Sequence, residues 1–424
     1  MIIEWLAFII FLLLVFWFIP KCTFISHANL SLRETRILLA FKVITSLLAA
    51  FYFKTFSTNV DYLANNAEGN LQYQLLLSNP TLFFTDFKND INTYGLDGLF
   101  EARDSFWAYI RFNLLFKFIA ILNLATRGNF YFNTAVFSSI IFFGHLAFYR
   151  IFSQIYKGQK IVTLFASFCL PSLLLYTSCI HKDGFVFLSI GIISYTFFRF
   201  LSASQQINFK HILFFLLALV TIFLFRNYVI VAILPAMITA VLCKMLPVKK
   251  RFVLIGSYFI FILLFFISGF TTSFLNLPNA VVRRKAEFAT LIGGKTDIKM
   301  NELQPTILSF VSNFPQAINH SFFRPYLWEF RQPAIMLTAI ELLMYQLNLL
   351  LFIFYRKKQD TTIHAFNIFG LALVFNMMLI IGYTIPNVGA IVRYRSIFWI
   401  FIIAPLLCNI NWRKLHLNAN CLIG

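Results

Sequence analysis

Apolar runs close to twenty residues long recur along the whole chain, at 2–20, 37–56, 131–149, 161–180, 185–201, 212–226, 228–246, 252–270, 335–355, 364–385 and 396–411. Short basic turns or longer polar stretches separate them. About 20 such residues carry a helix across the hydrocarbon core of a bilayer. The pattern predicts an all-α fold, a polytopic transmembrane helical bundle of about 11 spanning helices, as a single integral membrane domain over 1–424. Two stretches are too long to be turns, 57–130 and 271–334. Both are predicted to be outward loops containing amphipathic interfacial helices. The triplet "RNY" at 226–228 barely separates two runs, which predicts a tight helical hairpin. The first run lacks a basic n-region and a small-residue cleavage site, so it reads as a retained helix and not as a signal peptide.

Composition agrees with this reading. Of 424 residues, 60% are hydrophobic, only 12% are charged and 56 are phenylalanine, more apolar surface than a soluble core needs. Charge then gives orientation. About half of the 35 basic residues lie in six clusters, at 21–36, 150–160, 199–210, 244–251, 356–358 and 413–414. The positive-inside rule puts these clusters in the cytoplasm. Seven of the 16 acidic residues fall in 57–105, which goes outside. Parity requires that 106–125, "FWAYIRFNLLFKFIAILNLA", does not cross. Its internal Arg111 and Lys117 suit an amphipathic helix lying in the interface. The N-terminus is then expected outside and the C-terminus in the cytoplasm. The net charge of +19 follows from this topology and gives no reason to expect nucleic acid as a partner. The six cysteines are scattered and read as small apolar fillers. There is no Walker A, GxGxxG or HExxH sequence, so no cofactor is implied, and a divalent metal has no support.

Several charges fall on the outward side against the topological bias. Asp61 stands just past the outer end of a helix, in "NVDYLANNAEGN", with Glu68 one step further. A carboxylate there can act as a general base toward a hydroxyl, or it can simply cap a helix. In "CIHKDG" the adjacent Lys182 and Asp183 open a helix, where an anion is favoured. Arg226, Arg393 and Arg395 lie at or near the same predicted level, and Arg324 belongs to "FFRPYLWE" with Glu329 nearby. Read singly, the cations snorkel and the acids cap or pair locally, as Arg324 and Glu329 would. Together they form a set of outward positive groups suited to phosphate oxygens, because the planar guanidinium binds them in pairs. Of Arg393 and Arg395 in "NVGAIVRYR", the first is expected to face the cavity and the second the lipid or a neighbouring loop. Glu341 lies inside the next helix and should face protein or a watery cavity. In "NAVVRRKAEF" the basic run suits anionic headgroups.

The combination of "PSLLLYTSCIHKDG", "FFRPYLWE" and "NVGAIVRYR" resembles bacterial O-antigen polymerase-like membrane proteins and, more widely, GT-C-type polyprenyl-phosphate-dependent glycosyltransferases. The resemblance covers most of the chain as a pattern of helices and outer loops. It implies a bacterial inner-membrane enzyme of surface-polysaccharide assembly. Such an enzyme takes a sugar or oligosaccharide from a polyprenyl (pyro)phosphate and passes it to a glycan acceptor. Its partners would be membrane lipids and other polysaccharide-assembly proteins. In that class a catalytic acid sits in the first outer loop beside interfacial helices, which Asp61 and 106–125 match. Polymerases and ligases of the class grip a lipid pyrophosphate with outward arginines, a role open here to Arg226, Arg324, Arg393 and Arg395. Two features depart from the GT-C pattern, the lack of paired acids after the helix end and the additional helix 2–20.

The chemistry of such a donor is consistent with these residues. A leaving pyrophosphate is a weak base, so it needs charge neutralisation more than protonation. One carboxylate acting on the acceptor hydroxyl would invert the anomeric centre. Asp61 is the first choice for that base, with Asp183 as the second candidate and Glu68, Glu329 and Glu341 in support. A lipid-linked oligosaccharide flippase or another transporter is the rival reading. Such proteins often show repeated halves and charges deep in several helices.

Overall fold

A computed structural model describes residues 2–56, 61–96, 98–101, 104–202, 206–271, 275–290, 296–329, 332–357 and 364–415. Among these residues the regular elements are all helices, with two isolated bridges, Asp297 to Asn387 and Arg356 to Ile410. The principal helices are α1 (Ile2–Phe18), α2 (Leu32–Phe56), α3 (Asp61–Ser78), α4 (Phe106–Thr126), α5 (Phe130–Ile155), α6 (Lys160–Phe168), α7 (Pro171–Tyr176) and α8 (Lys182–Leu201). They continue as α9 (Phe209–Arg226), α10 (Tyr228–Met245), α11 (Lys250–Ile267), α12 (Leu277–Ala289), α13 (Ile307–Ile318), α14 (Pro333–Tyr355), α15 (Ala365–Thr384) and α16 (Val388–Asn409). Ten helices among the described residues are long and apolar enough to cross a membrane. The protein is therefore an all-α, multi-pass helical bundle. Where a hairpin was expected, only Asn227 separates α9 from α10.

Two expectations change. The run 161–180 is not one helix: it stops at Phe168 and restarts at Pro171. Proline offers no N–H, and it pushes the preceding residue, Leu170, out of the helical region. The first helix, Ile2–Phe18, has 17 residues and falls just short of a full span, while Phe106–Thr126 has a span's length and apolarity.

The chain forms two compact units. Unit 1 comprises 1–150, 173–196 and 206–230, and unit 2 comprises 151–172, 197–205 and 231–424.

In unit 1 the ends of the helices sort into two levels. Phe53 near the end of α2, Phe130 at the start of α5 and Cys179 just before α8 share one apolar cluster with Tyr62. At the other level Phe24 meets Tyr195 edge-on in the second half of α8, and the Arg150 guanidinium near the end of α5 sits 4.4 Å from the Phe24 ring. Helices α5 and α8 thus run in the same direction, and α2 runs against them.

Helix α4 does not follow this alternation. Trp107 packs on Phe223 in the last turn of α9, Phe118 on Phe185 in the first turn of α8, and Asn133 near the start of α5 donates to Asn123 at 2.8 Å. A 21-residue helix is about 31 Å long, yet Trp107, Phe118 and Asn123, spread along it, all meet the ends of α9, α8 and α5. It lies across them. The reason given for expecting an interfacial helix needs correction. Arg111 is buried and donates to the carbonyls of Trp107, Ala108 and Glu101, and Lys117 pairs with Asp86. These charges are met by protein and do not define a water-facing stripe.

Helix α3 packs antiparallel on α4 through amides. Asn66 donates to the Gly128 carbonyl at 3.3 Å, Asn123 to Asn70 at 2.8 Å and Asn133 to Asn66 at 3.0 Å. At Gly69 a side chain is excluded, since a Cβ would lie 2.3 Å from Ile119.

In unit 2, α15 and α16 pack as an antiparallel pair, with α13 and α12 against α15 and α14 and α6 against α16. Gly382 brings α15 within reach of α13, where a Cβ would meet the Ala317 carbonyl oxygen at 2.1 Å. The start of α16 is fixed by Asn387, which accepts from the Ala390 N–H at 3.0 Å and donates to Asp297 at 2.7 Å.

Candidate functional site

The predicted residues fall into two groups, one in each unit. In unit 1 the helix break after Tyr176 leaves "TSCIH", 177–181, as an irregular turn leading into α8. This turn carries His181 and places Asp183 in the first turn of α8, where the free N–H groups favour a carboxylate. Across from it, Asp61 opens α3 with its side chain 56% exposed. Asp61 Oδ2 lies 3.7 Å from His181 Nε2, within ionic range but beyond a hydrogen bond. His181 Nδ1 is 2.9 Å from Asp183 Oδ2. The other Asp183 oxygen accepts from Arg226, which also donates to the Tyr228 hydroxyl. Tyr62 sits edge-on to the imidazole, with ring centroids 5.5 Å apart.

The result is a row of groups running from water into the interior. Asp61 is accessible, His181 is buried, and Asp183 and Arg226 are closed off. His181 Nδ1 also accepts from the Asp183 N–H at 3.3 Å, and Nε2 faces Asp61. Lys182 is half-buried, with its ammonium 4.2 Å from the Phe112 ring on α4.

This geometry corrects two assignments. Arg226 was expected to bind a phosphate, but its guanidinium is committed to Asp183 and Tyr228 inside the unit. Asp183, the second catalytic candidate, is fully buried in that ion pair and so serves to orient His181. Asp61 keeps its exposure. Glu68 is exposed further along α3 and takes no part in these contacts.

In unit 2 the helix break at Pro171 has a partner. Glu341, buried on α14, accepts from the Ser172 N–H at 3.1 Å, from the Ser172 hydroxyl at 3.1 Å and from the Tyr345 hydroxyl. The carboxylate thus receives an N–H that the restarted helix leaves without a helical partner. Arg395 is buried and donates to the carbonyls of Ser321 and Arg324. It thereby holds the short π-helical turn Asn319–Phe323 and the cis Arg324–Pro325 peptide that follows. The space left among Ser172, Thr338, Glu341, Tyr345, Arg395 and Trp399 is about 10 Å³, no more than one water needs. It is a packed polar junction and admits no substrate.

Arg324 and Glu329 pair locally at 3.2 Å, as one reading of the sequence anticipated. Arg393 is half-buried, with its guanidinium 5.3 Å from the Tyr394 ring. Arg395, expected toward lipid or a neighbouring loop, meets the loop carbonyls of Ser321 and Arg324 and is buried there, whereas Arg393, expected to face the cavity, is the more exposed.

One residue escaped the reading of outward charges altogether. Lys42 lies in the middle of α2, fully buried, and its ammonium donates to the Thr177 carbonyl at 3.1 Å and to the Thr177 hydroxyl at 2.9 Å. It ties down the start of the turn that carries His181. The signal was available as a lone lysine within "ILLAFKVITSLL", an ionisable group where hydrocarbon-facing residues are the rule. Among the described residues no cluster of side chains has the make-up of a metal site. Comparison of the chain with protein-family models, with curated proteins and with solved structures finds no match.

Proposed function

We propose that this protein is a glycosyltransferase of the bacterial inner membrane, of the polysaccharide-polymerase kind. It takes a sugar or oligosaccharide from a polyprenyl (pyro)phosphate at the outer face and gives it to a glycan hydroxyl. The observation that supports the reading most is the exposed Asp61 carboxylate backed by His181 and the buried Asp183–Arg226 pair. It stands where α4 lies across the helix ends, next to the level at which a lipid-linked donor carries its anion. In the reaction Asp61 takes the acceptor proton as the hydroxyl oxygen attacks the anomeric carbon. The bond from that carbon to the phosphate oxygen breaks, and the lipid (pyro)phosphate leaves with the electron pair. One base and no covalent intermediate give inversion. Lys182, in the same unit as Asp61, keeps partial exposure and can meet the phosphate oxygens.

The test is deletion of the gene in its native host, complementation with wild type or Asp61→Asn, and analysis of surface-polysaccharide length. Material stopped at a single repeat in the deletion and in Asp61→Asn supports a polymerase. Lipid-linked units stranded on the cytoplasmic side would indicate a flippase and overturn the proposal. Cysteine labelling at Asn92 and Gln304 from outside, and at Lys249 only after permeabilisation, is expected from the same orientation.

A further inference from the structure

Helix α1 touches α5 near its middle, where Phe8 and Phe11 both pack on Phe132 at 5.2 Å. Beyond that contact one face of the helix is exposed. Ile10, Leu13, Leu14, Phe16 and Trp17, together with Arg36 of α2, bound a groove of about 650 Å³. Leu13, Leu14 and Trp17 are more than half exposed. Apolar walls of this size exclude water as the natural filling.

The end of the groove is not apolar. Lys21 holds its ammonium 3.6 Å from the Trp17 ring, and the turn Ile19–Lys21 packs against α2, whose first two turns carry Arg33 and Arg36. All three basic side chains are exposed. The acid in this stretch, Glu34, is engaged in a capping box, accepting from the Ser31 N–H at 2.8 Å while the Glu34 N–H donates to the Ser31 hydroxyl at 3.1 Å. The groove therefore ends in concentrated positive charge next to a tryptophan, a residue that favours the headgroup level.

We infer that this groove is a binding site for one anionic glycerophospholipid, with an acyl chain along Ile10–Trp17 and the headgroup phosphate at Lys21, Arg33 and Arg36. Basic pockets beside membrane helices select anionic headgroups in this way. The site is independent of Asp61 and does not depend on the proposed transferase activity.

The full-length protein, delipidated in detergent, is offered equal amounts of phosphatidylglycerol and phosphatidylcholine, and bound lipid is counted by native mass spectrometry. Wild type is expected to retain phosphatidylglycerol preferentially. Arg36→Gln and the double variant Arg33→Gln/Arg36→Gln are expected to lose about five-fold of that preference per arginine. Leu13→Trp, which fills the groove but leaves the charges, is expected to lower retention of the lipid itself. Arg413→Gln/Lys414→Gln, removing a basic pair elsewhere, is expected to change neither. Equal retention of both lipids by wild type would overturn the inference, as would undiminished preference in the double variant. The exposed positions make misfolding easy to recognise, because helicity by circular dichroism is read on the same samples.

Discussion

Arg226 and Asp183 bind each other inside unit 1, with side chains only 5% and 0% exposed. Neither charge has water to return to if the other is removed. Breaking a buried pair from one side typically costs about 3–5 kcal/mol, whereas replacing both partners can be close to neutral. Arg226→Met alone is therefore expected to lower the melting temperature of the purified protein sharply. Asp183→Asn/Arg226→Met is expected to recover much of that loss. A single variant as stable as wild type would mean that the pair does not form.

Asp61→Asn should leave folding intact, because its side chain is more than half exposed. The amide cannot accept a proton at neutral pH. General-base assistance is worth about 10²–10⁴-fold, so the variant should retain a trace of activity at most. Near-normal product at matched abundance would reduce Asp61 to the first residue of α3.

Lys42 tests a different dependence. Its two hydrogen bonds fix Thr177, four residues before His181. Lys42→Met keeps the length and apolar stem of the side chain but leaves the Thr177 groups without their donor. A hydrogen bond from a charged group contributes about 1.5–3 kcal/mol, so faster hydrogen exchange in the 177–183 turn is expected, with the rest of α2 unchanged. Lys42→Arg, which retains the donors but adds bulk in a closed space, should fall between. Unaltered exchange in the methionine variant would remove Lys42 from any positioning role.

These residues show what the sequence made legible. Spanning helices are set by length and apolarity, both local properties, and nearly all of them form where the runs predict. The break at Pro171 was equally local, but a continuous apolar run masked it. Charge parity and the internal Arg111 and Lys117 were the grounds for keeping α4 from crossing, but those charges turn inward to Glu101 and Asp86. Side-chain direction was the weak point. Arg226, Asp183 and Arg395 were read as outward from their level along the chain, and level says nothing about which way a side chain turns. Lys42 was hidden for the opposite reason, since its partner Thr177 is distant in sequence.

His320 supplies a pH dependence. It is buried in the turn 319–323, and its pKa is pushed down to about 4, chiefly by burial and then by the nearby positive charges of Arg324 and Lys285. The unfolded chain binds this proton near pH 6.5, the folded one only near pH 4. Unfolded protein thus takes up more protons in that window, and stability falls as pH drops from about 6.5 toward 4. His320→Asn cannot titrate, so its melting temperature should change less between pH 7 and pH 4.5 than that of wild type. Parallel curves for the two proteins would remove His320 as a source of acid sensitivity.

Arg393 and Arg395 separate folding from function by the same substitution. Two residues apart on α16, they point about 200° from each other, so they cannot share one surroundings. Arg395 uses its guanidinium to hold the carbonyls of Ser321 and Arg324, and an ammonium cannot reproduce that planar reach. Arg395→Lys is expected to destabilise the protein by about 1–3 kcal/mol, the cost of leaving a buried acceptor unmet. Arg393 is half-buried and not part of that junction, so Arg393→Lys should fold as wild type. If Arg393 meets a phosphate in paired geometry, the lysine variant loses a charge-assisted bond and about ten-fold or more in rate, with its melting temperature unchanged. Melting curves and a polymerisation assay on both variants at matched membrane abundance give the answer. A stable, fully active Arg393→Lys would leave Arg393 as an interface anchor.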